Sequence, residues 1–290
     1  MTVSTAPAPI ATGPTRNRPV KLKVDRVSKT FLLRGERGEP PSPFTVLREM
    51  SFDVREGEIV SLVGESGCGK TTLLRIIQGL NRLDRGTILV DGHAVSGPGR
   101  DRGFVFQQAS LLPWRTAAEN IEFGLELQGV PKAARHEKAR SLLHLVGLEG
   151  AANKYPHQLS GGMQQRVGLA RAFAIEPAIL LMDEPFSALD AQTREVLQRE
   201  LLRIQAETRM TILFVTHDLD EAIYLSDRIV ALGAHPGRVR EIIDVPFPKP
   251  RQDLPILRSE PEFTRIRKKT AEIIRNARSP EPAAGQEKTP

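Results

Sequence analysis

The sequence has one cysteine, Cys68, in 290 residues. A single thiol can form no internal disulfide and can supply neither a zinc cluster nor a disulfide framework, which fits a reducing cytoplasm. Long apolar runs are missing as well. A bilayer-spanning helix needs about 20 mostly apolar residues, and the longest runs here, such as 178–182, are strand-sized. Residues 1–19 are rich in Pro, Ala and Thr and lack the basic start and apolar stretch of a secretory signal, so 1–20 reads as a disordered leader. Charge of one sign is also scarce. Forty-one Lys and Arg against 35 Asp and Glu leave a formal +6, which suits an anionic partner without choosing among nucleotide, nucleic acid and lipid surface.

What remains is an ordinary globular composition, 40% hydrophobic, long enough for one large domain or two modest ones. Strand patterns at 21–31 and 46–54 flank a charged, proline-rich stretch at 33–43, which predicts a hairpin with a long loop. A mostly apolar run at 58–63 leads into glycines, and 72–80 has helical spacing through Leu73, Ile76 and Ile77. From 116 to 174 the pattern is helical, opening with the capping box Thr116-Ala117-Ala118-Glu119 and including a helix that runs to Val146 before Gly147. Short apolar runs at 178–182 and 211–215 then flank a helix at 191–207, as buried parallel strands do. Further on, 228–232 reads as a strand, 238–245 as an edge strand, 262–275 as a charged terminal helix and 278–290 as a disordered tail.

Gly64-Glu65-Ser66-Gly67-Cys68-Gly69-Lys70-Thr71, followed by Thr72, fits the G-x-x-x-x-G-K-[ST] pattern between a predicted strand and a predicted helix. Glycines there let backbone N–H groups turn toward phosphate oxygens, and the helix N-terminus adds partial positive charge. Lys70 is expected to reach the β and γ phosphates, and the Thr71 hydroxyl to ligate Mg²⁺. The alternative is a chance glycine turn. Cys68 reads as a small filler residue, not a nucleophile. The run 178–184 ends in Asp183 and Glu184, two carboxylates at the carboxyl end of a buried strand, where open α/β sheets bind ligands. Asp183 would hold the Mg²⁺ shell and Glu184 would polarise a water that attacks ATP. A helix cap is the competing explanation.

Leu159-Ser160-Gly161-Gly162-Met163-Gln164 opens a second helix with serine and glycines. Ser160 as a plain helix cap is the ordinary reading. Together with the phosphate loop, however, this segment resembles the signature motif of the ATP-binding cassette (ABC) family, and the resemblance covers about 21–275. Gln107, after Phe104-Val105-Phe106, is similar to the family's glutamine loop, which contacts Mg²⁺ or water. Ser187-Ala188-Leu189-Asp190 resembles the loop that crosses the dimer interface, and His217 the switch histidine at the γ-phosphate. Phe31 stands where the family stacks adenine on an aromatic residue, with Phe44 as competitor.

The resemblance implies a P-loop NTPase of the ABC ATPase type over 21–277. Its α/β core would be mostly parallel, with an N-terminal antiparallel β subdomain, an inserted helical subdomain at about 109–175 and a C-terminal strand and helix at about 235–277. It also implies a head-to-tail homodimer in which Ser160, Gly161, Gly162, Gln164 and Asp190 of one subunit cover Mg-ATP held by Lys70 of the other. Leu111-Leu112-Pro113-Trp114, Phe123-Gly124-Leu125-Glu126 and the tail His235-Pro236-Gly237-Arg238 through Pro246 and Leu257-Arg258-Ser259 look like the nitrate, sulfonate and taurine importer branch. Such a subunit would work at the cytoplasmic face of the membrane on a separate permease, which a solute-binding protein supplies. Trp114 is either a permease-groove anchor or a buried packing residue. The alternative class, a soluble cassette acting on nucleic acid or ribosomes, commonly has tandem cassettes or a coiled-coil insertion. This chain has one set of motifs, no sustained heptads and no basic stripe interleaved with aromatics, so no nucleic-acid partner is expected.

Overall fold

The computed structural model describes residues 18–33, 40–234 and 236–276; most of the leader, most of the 33–43 insertion, His235 and the tail lie outside them. Two antiparallel strands begin the fold, β1 (Val20–Leu33) and β2 (Ser42–Arg55), with Phe31 opposite Phe44. The end of the predicted leader is already engaged: Val20 is in β1, and the Pro19 carbonyl accepts a hydrogen bond from Glu56 N at 2.9 Å. Next come β3 (Ile59–Val63), buried throughout, and α1 (Lys70–Ile77).

The strands β4 (Arg85–Val90) and β5 (His93–Ala94) complete a sheet ordered β2-β1-β4-β5. Neither was expected from local pattern. β4 has a single partner among long strands, β1, and its first three residues are exposed, so its apolar alternation is too short to read.

After β6 (Arg102–Val105) come three helices, α2 (Ala117–Leu127), α3 (Lys132–Leu145) and α4 (Gly161–Ala174). The capping box is present: Thr116 Oγ1 accepts from Glu119 N at 3.3 Å, and Glu119 accepts from Thr116 N at 2.8 Å. The chain then runs through β7 (Ile179–Asp183), α5 (Ala191–Thr208), β8 (Ile212–Thr216), α6 (Leu219–Leu225), β9 (Arg228–Gly233), β10 (Arg238–Asp244), α7 (Leu254–Ser259) and α8 (Pro261–Asn276).

The central sheet is ordered β10-β9-β3-β8-β7-β6, parallel except for the antiparallel edge strand β10. Alternation along its strands divides the core in two. Leu181, Leu213 and Val215 pack with α1 and the antiparallel sheet, while Leu180, Met182, Ile212 and Phe214 pack with the helical side. Burial of both faces explains the uninterrupted apolar runs. At the amino ends of the strands, the fully buried Glu58 carboxylate receives Arg228 Nη2 at 2.8 Å, and Arg228 also donates to the Asp53 carbonyl at 2.9 Å.

Candidate functional site

The glycine loop sits at the carboxyl end of β3, and its backbone depends on particular glycines. Gly69 has φ +92, and a Cβ there would lie 2.5 Å from Leu47 Cδ2. It is the N-cap of α1, and no side chain caps that helix. The amides of the first turn are thus left for a ligand, and the helix dipole favours an anion. Lys70, almost completely buried, donates from Nζ to the carbonyls of Gly64 at 2.8 Å and Glu65 at 2.9 Å, so its ammonium is folded back over the loop. Ser66 and Gly67 are exposed on the loop crest, and Thr72 is half-buried.

Cys68 is buried, with Sγ 3.8 Å from Lys70 Nζ, and burial pushes its thiol pKa up. A protonated, enclosed thiol suits filling rather than attack.

Gly237 is one residue whose part the sequence reading missed. A Cβ there would come within 2.1 Å of the Cys68 carbonyl, while Gly237 N donates to Val46 O at 2.8 Å. Residues 46–47 of β2 and Gly237 therefore form the wall behind the loop. The sequence marked Gly237 only through the resemblance of the segment around it, which says nothing of this packing.

The acidic pair lies at the carboxyl end of β7, which β8 separates from β3 in the sheet. Thr71 Oγ1 is 3.5 Å from Asp183 Oδ1. Burial raises the Asp183 pKa above the usual carboxylate range, Thr71 opposes that, and the charge of Glu184 adds to it. Such a carboxylate is relieved by a nearby cation. Mg²⁺ typically binds one or two carboxylates together with phosphate oxygens and water. The Thr71 hydroxyl and Asp183 match that donor set. Among the described residues no group of three or more His, Cys, Asp or Glu could hold a metal, so a Mg²⁺ ion here would take its remaining ligands from phosphate oxygens and water.

Glu184 has φ +46, a left-handed conformation unusual for a residue with a side chain. Two contacts hold its backbone there, and a third orients its carboxylate. Its N–H donates to Val215 O at 2.9 Å, its carboxylate oxygen Oε2 lies 3.2 Å from His217 Nδ1, and its carbonyl accepts from Ser187 Oγ at 2.9 Å. Gln107 Nε2 in turn donates to Ser187 Oγ at 2.9 Å. The structure thus brings Thr71, Gln107, Asp183, Glu184 and His217 together, and adds Ser187, whose hydroxyl joins the glutamine loop to the backbone of Glu184. The sequence pointed to the segment 187–190 but not to this hydroxyl.

Other expected residues stand apart. Ser160 caps α4 by accepting from Met163 N at 3.3 Å, and α4 packs on α2, α3, α5 and β6 rather than on α1. Gly162 is close to the start of α5, where a Cβ would meet Thr193 Cγ2 at 2.7 Å. Gln164 Nε2 is committed to the carbonyls of Pro156 at 2.9 Å and Leu159 at 3.2 Å, so within one chain it holds its own loop. Asp190 caps α5 through Thr193 N at 3.0 Å. Phe31 and Phe44 are both exposed at the hairpin arm, with Lys29 Nζ 5.2 Å from the Phe31 ring centroid. Trp114 is 70% exposed, which excludes the packing role.

Comparison with known proteins shows the family of the chain. The family described as ABC transporter matches residues 47–187. The chain is 51% identical, over 89% of its length and 92% of the relative's, to an uncharacterized ABC transporter ATP-binding protein of Methanocaldococcus jannaschii. It is 43% identical to a taurine import ATP-binding protein of Rhizobium johnstonii (87% of this chain, 96% of that one) and 40% identical to a nitrate import ATP-binding protein of Synechocystis sp. (91% and 98%). Among solved structures, a dimeric ATP-binding cassette in a post-hydrolysis state, bound to ADP and Pi, matches with TM-score 0.66 and 35% identity, covering 77% of this chain and 98% of that one.

Proposed function

Since the chain belongs to the ABC transporter family and is an ATP-hydrolysing cassette, we propose that it powers an importer of a small anion, such as nitrate, a sulfonate or taurine, through a separate membrane permease. The observation that carries the reading is the split of the site. Lys70, Thr71, Asp183, Glu184, His217 and Gln107 gather at the carboxyl ends of the parallel strands, while Ser160 opens a second helix, α4, that packs on α2, α3, α5 and β6 rather than on α1. Two copies arranged head to tail would bring each half to the other, enclosing two ATP molecules.

Within that dimer the nucleotide's phosphates lie on the glycine loop and the first-turn amides of α1. Mg²⁺, held by Thr71 and Asp183 with Gln107 nearby, would neutralise charge on the phosphates. Lys70 exchanges its loop carbonyls for phosphate oxygens. Glu184 orients and deprotonates water, and His217, already paired with it, faces the γ-phosphate. Ser160, Gly161, Gly162 and Asp190 close the site from the partner subunit, with Gln164 keeping the Ser160 loop in shape, and Phe31 offers a ring to adenine. Loss of the γ-phosphate then weakens the contact between copies.

No described helix is long and apolar enough to cross a membrane, so the proposal places the chain peripherally, on the cytoplasmic face. The exposed Trp114, with the 44%-exposed Phe106 nearby in sequence, suits an anchor for a permease helix. The names of the nitrate and taurine relatives support the solute class. A solute-binding protein would act indirectly, through the permease.

Affinity purification from detergent-solubilised host membranes tests this. The native chain should retain a polytopic membrane protein; Trp114→Ala should lose it about tenfold or more and keep its basal ATPase. Salt-sensitive DNA or RNA binding without a membrane partner would contradict the importer reading.

A further inference from the structure

His217 lies in a very short connection. β8 ends at Thr216, and Asp218 is already the N-cap of α6, accepting from Asp220 N at 2.9 Å and Glu221 N at 3.2 Å. The placement of α6 therefore sets the placement of His217. With only seven residues, α6 is too short to be stable alone. Its inner face is fixed by buried Ala222, Ile223 and Leu225.

Its outer face is held by the two C-terminal helices. Leu257 of α7 and Phe263 and Ile266 of α8 are buried in the same apolar cluster. The polar part of this contact converges on one carboxylate: Arg258 Nε of α7 reaches Asp220 Oδ2 at 2.8 Å, and Arg267 Nε of α8 reaches Asp220 Oδ1 at 2.7 Å. One guanidinium from each helix thus takes one oxygen. Asp220 is 20% exposed, whereas both arginines are about half exposed. Each pair alone is therefore a weak source of stability. Geometry is what the clamp supplies. It fixes the first turn of α6 in rotation and height, and it offsets the crowding of Asp218, Asp220 and Glu221 in that turn.

We propose that Asp220 is a positioning residue for ATP hydrolysis: through Arg258 and Arg267 it locks α6 to the C-terminal helix pair and so holds His217 in place. The C-terminal helices are then part of the catalytic framework, although they touch no nucleotide. The inference rests on His217 acting at the γ-phosphate.

The test uses the full chain. Asp220→Asn keeps the shape and the N–H pattern of α6 and removes the charge; Arg258→Gln combined with Arg267→Gln removes the other side of the clamp. Both should lower kcat roughly tenfold, the scale of a slight misplacement of a reacting group, with KM for ATP within twofold and Tm shifted by a few degrees at most. Combining all three changes should lower kcat no further. In a His217→Ala background, with residual turnover read by single-turnover release of labelled phosphate, Asp220→Asn should have no effect. Unchanged kcat in the clamp variants, or an undiminished fall in the His217→Ala background, would overturn the clamp and leave the importer reading intact. Wild-type turnover by His217→Ala alone would instead overturn the switch role of His217, and the clamp with it.

Discussion

Replacing Glu184 by glutamine should separate binding from hydrolysis. The backbone at 184 is held by Val215 O and the Ser187 hydroxyl, not by the carboxylate, and a glutamine amide can still meet His217. The left-handed turn should therefore survive. What disappears is the proposed base. General-base contributions run from about 10² to 10⁴ in rate, or about 2.7–5.4 kcal/mol at 1.36 kcal/mol per tenfold. The charge of Glu184 also helps to raise the Asp183 pKa. Its loss lets Asp183 ionise more easily, so Mg-ATP binding should hold or tighten. Phosphate release should fall at least a hundredfold, while ATP brings the variant to a dimer on a sizing column at concentrations where the wild type is monomeric. Turnover within about threefold of wild type, or no ATP-dependent dimer, would refute the assignment of Glu184 as base and of the nucleotide as clasp.

Gly69→Ala should weaken ATP binding in a titration calorimeter by about ten- to a hundredfold, because φ +92 disfavours any side chain and the new Cβ meets Leu47 Cδ2 at 2.5 Å; unchanged affinity would show that the loop can relax. Glu221 is buried, and burial raises its pKa, while Gln198 Nε2 donates to it at 2.9 Å and Gln198 Oε1 has no partner. Folding therefore keeps a proton that the unfolded chain releases as pH rises above the ordinary glutamate range, and stability is lost across that window. Glu221→Gln should be more stable by about 1 kcal/mol at neutral pH, since its amide can donate to Gln198 Oε1. The gain should vanish in acid, and urea melts at both pH values decide the matter.

Much of the nucleotide site was legible because its parts are contiguous. The run 64–72 contains its own turn, lysine and hydroxyl, and Asp183-Glu184 ends a strand whose burial on both faces shows as an unbroken apolar run. The capping box at Thr116 is equally local. Strands β4 and β5 were not legible, since β4 is half-exposed and β5 has two residues, too few for a period to show. Trp114 was undecidable from sequence, because the same residue type serves a core and an anchor; its exposure excluded the core.

The sequence by itself determined the chemistry available to this protein: a phosphate loop, two carboxylates, a glutamine, a histidine and a serine-glycine helix start, each encoded within a few residues. Only the tertiary structure decided which of them meet. The Gln107–Ser187–Glu184 link spans 80 residues in its first bond, and Arg267 reaches Asp220 across 47. Gly237 lies against the carbonyl of Cys68 only because β10 pairs beside β9 at the sheet edge. Such contacts leave no periodic trace in the chain, since side-chain pattern reports which face is buried and not what is packed against it.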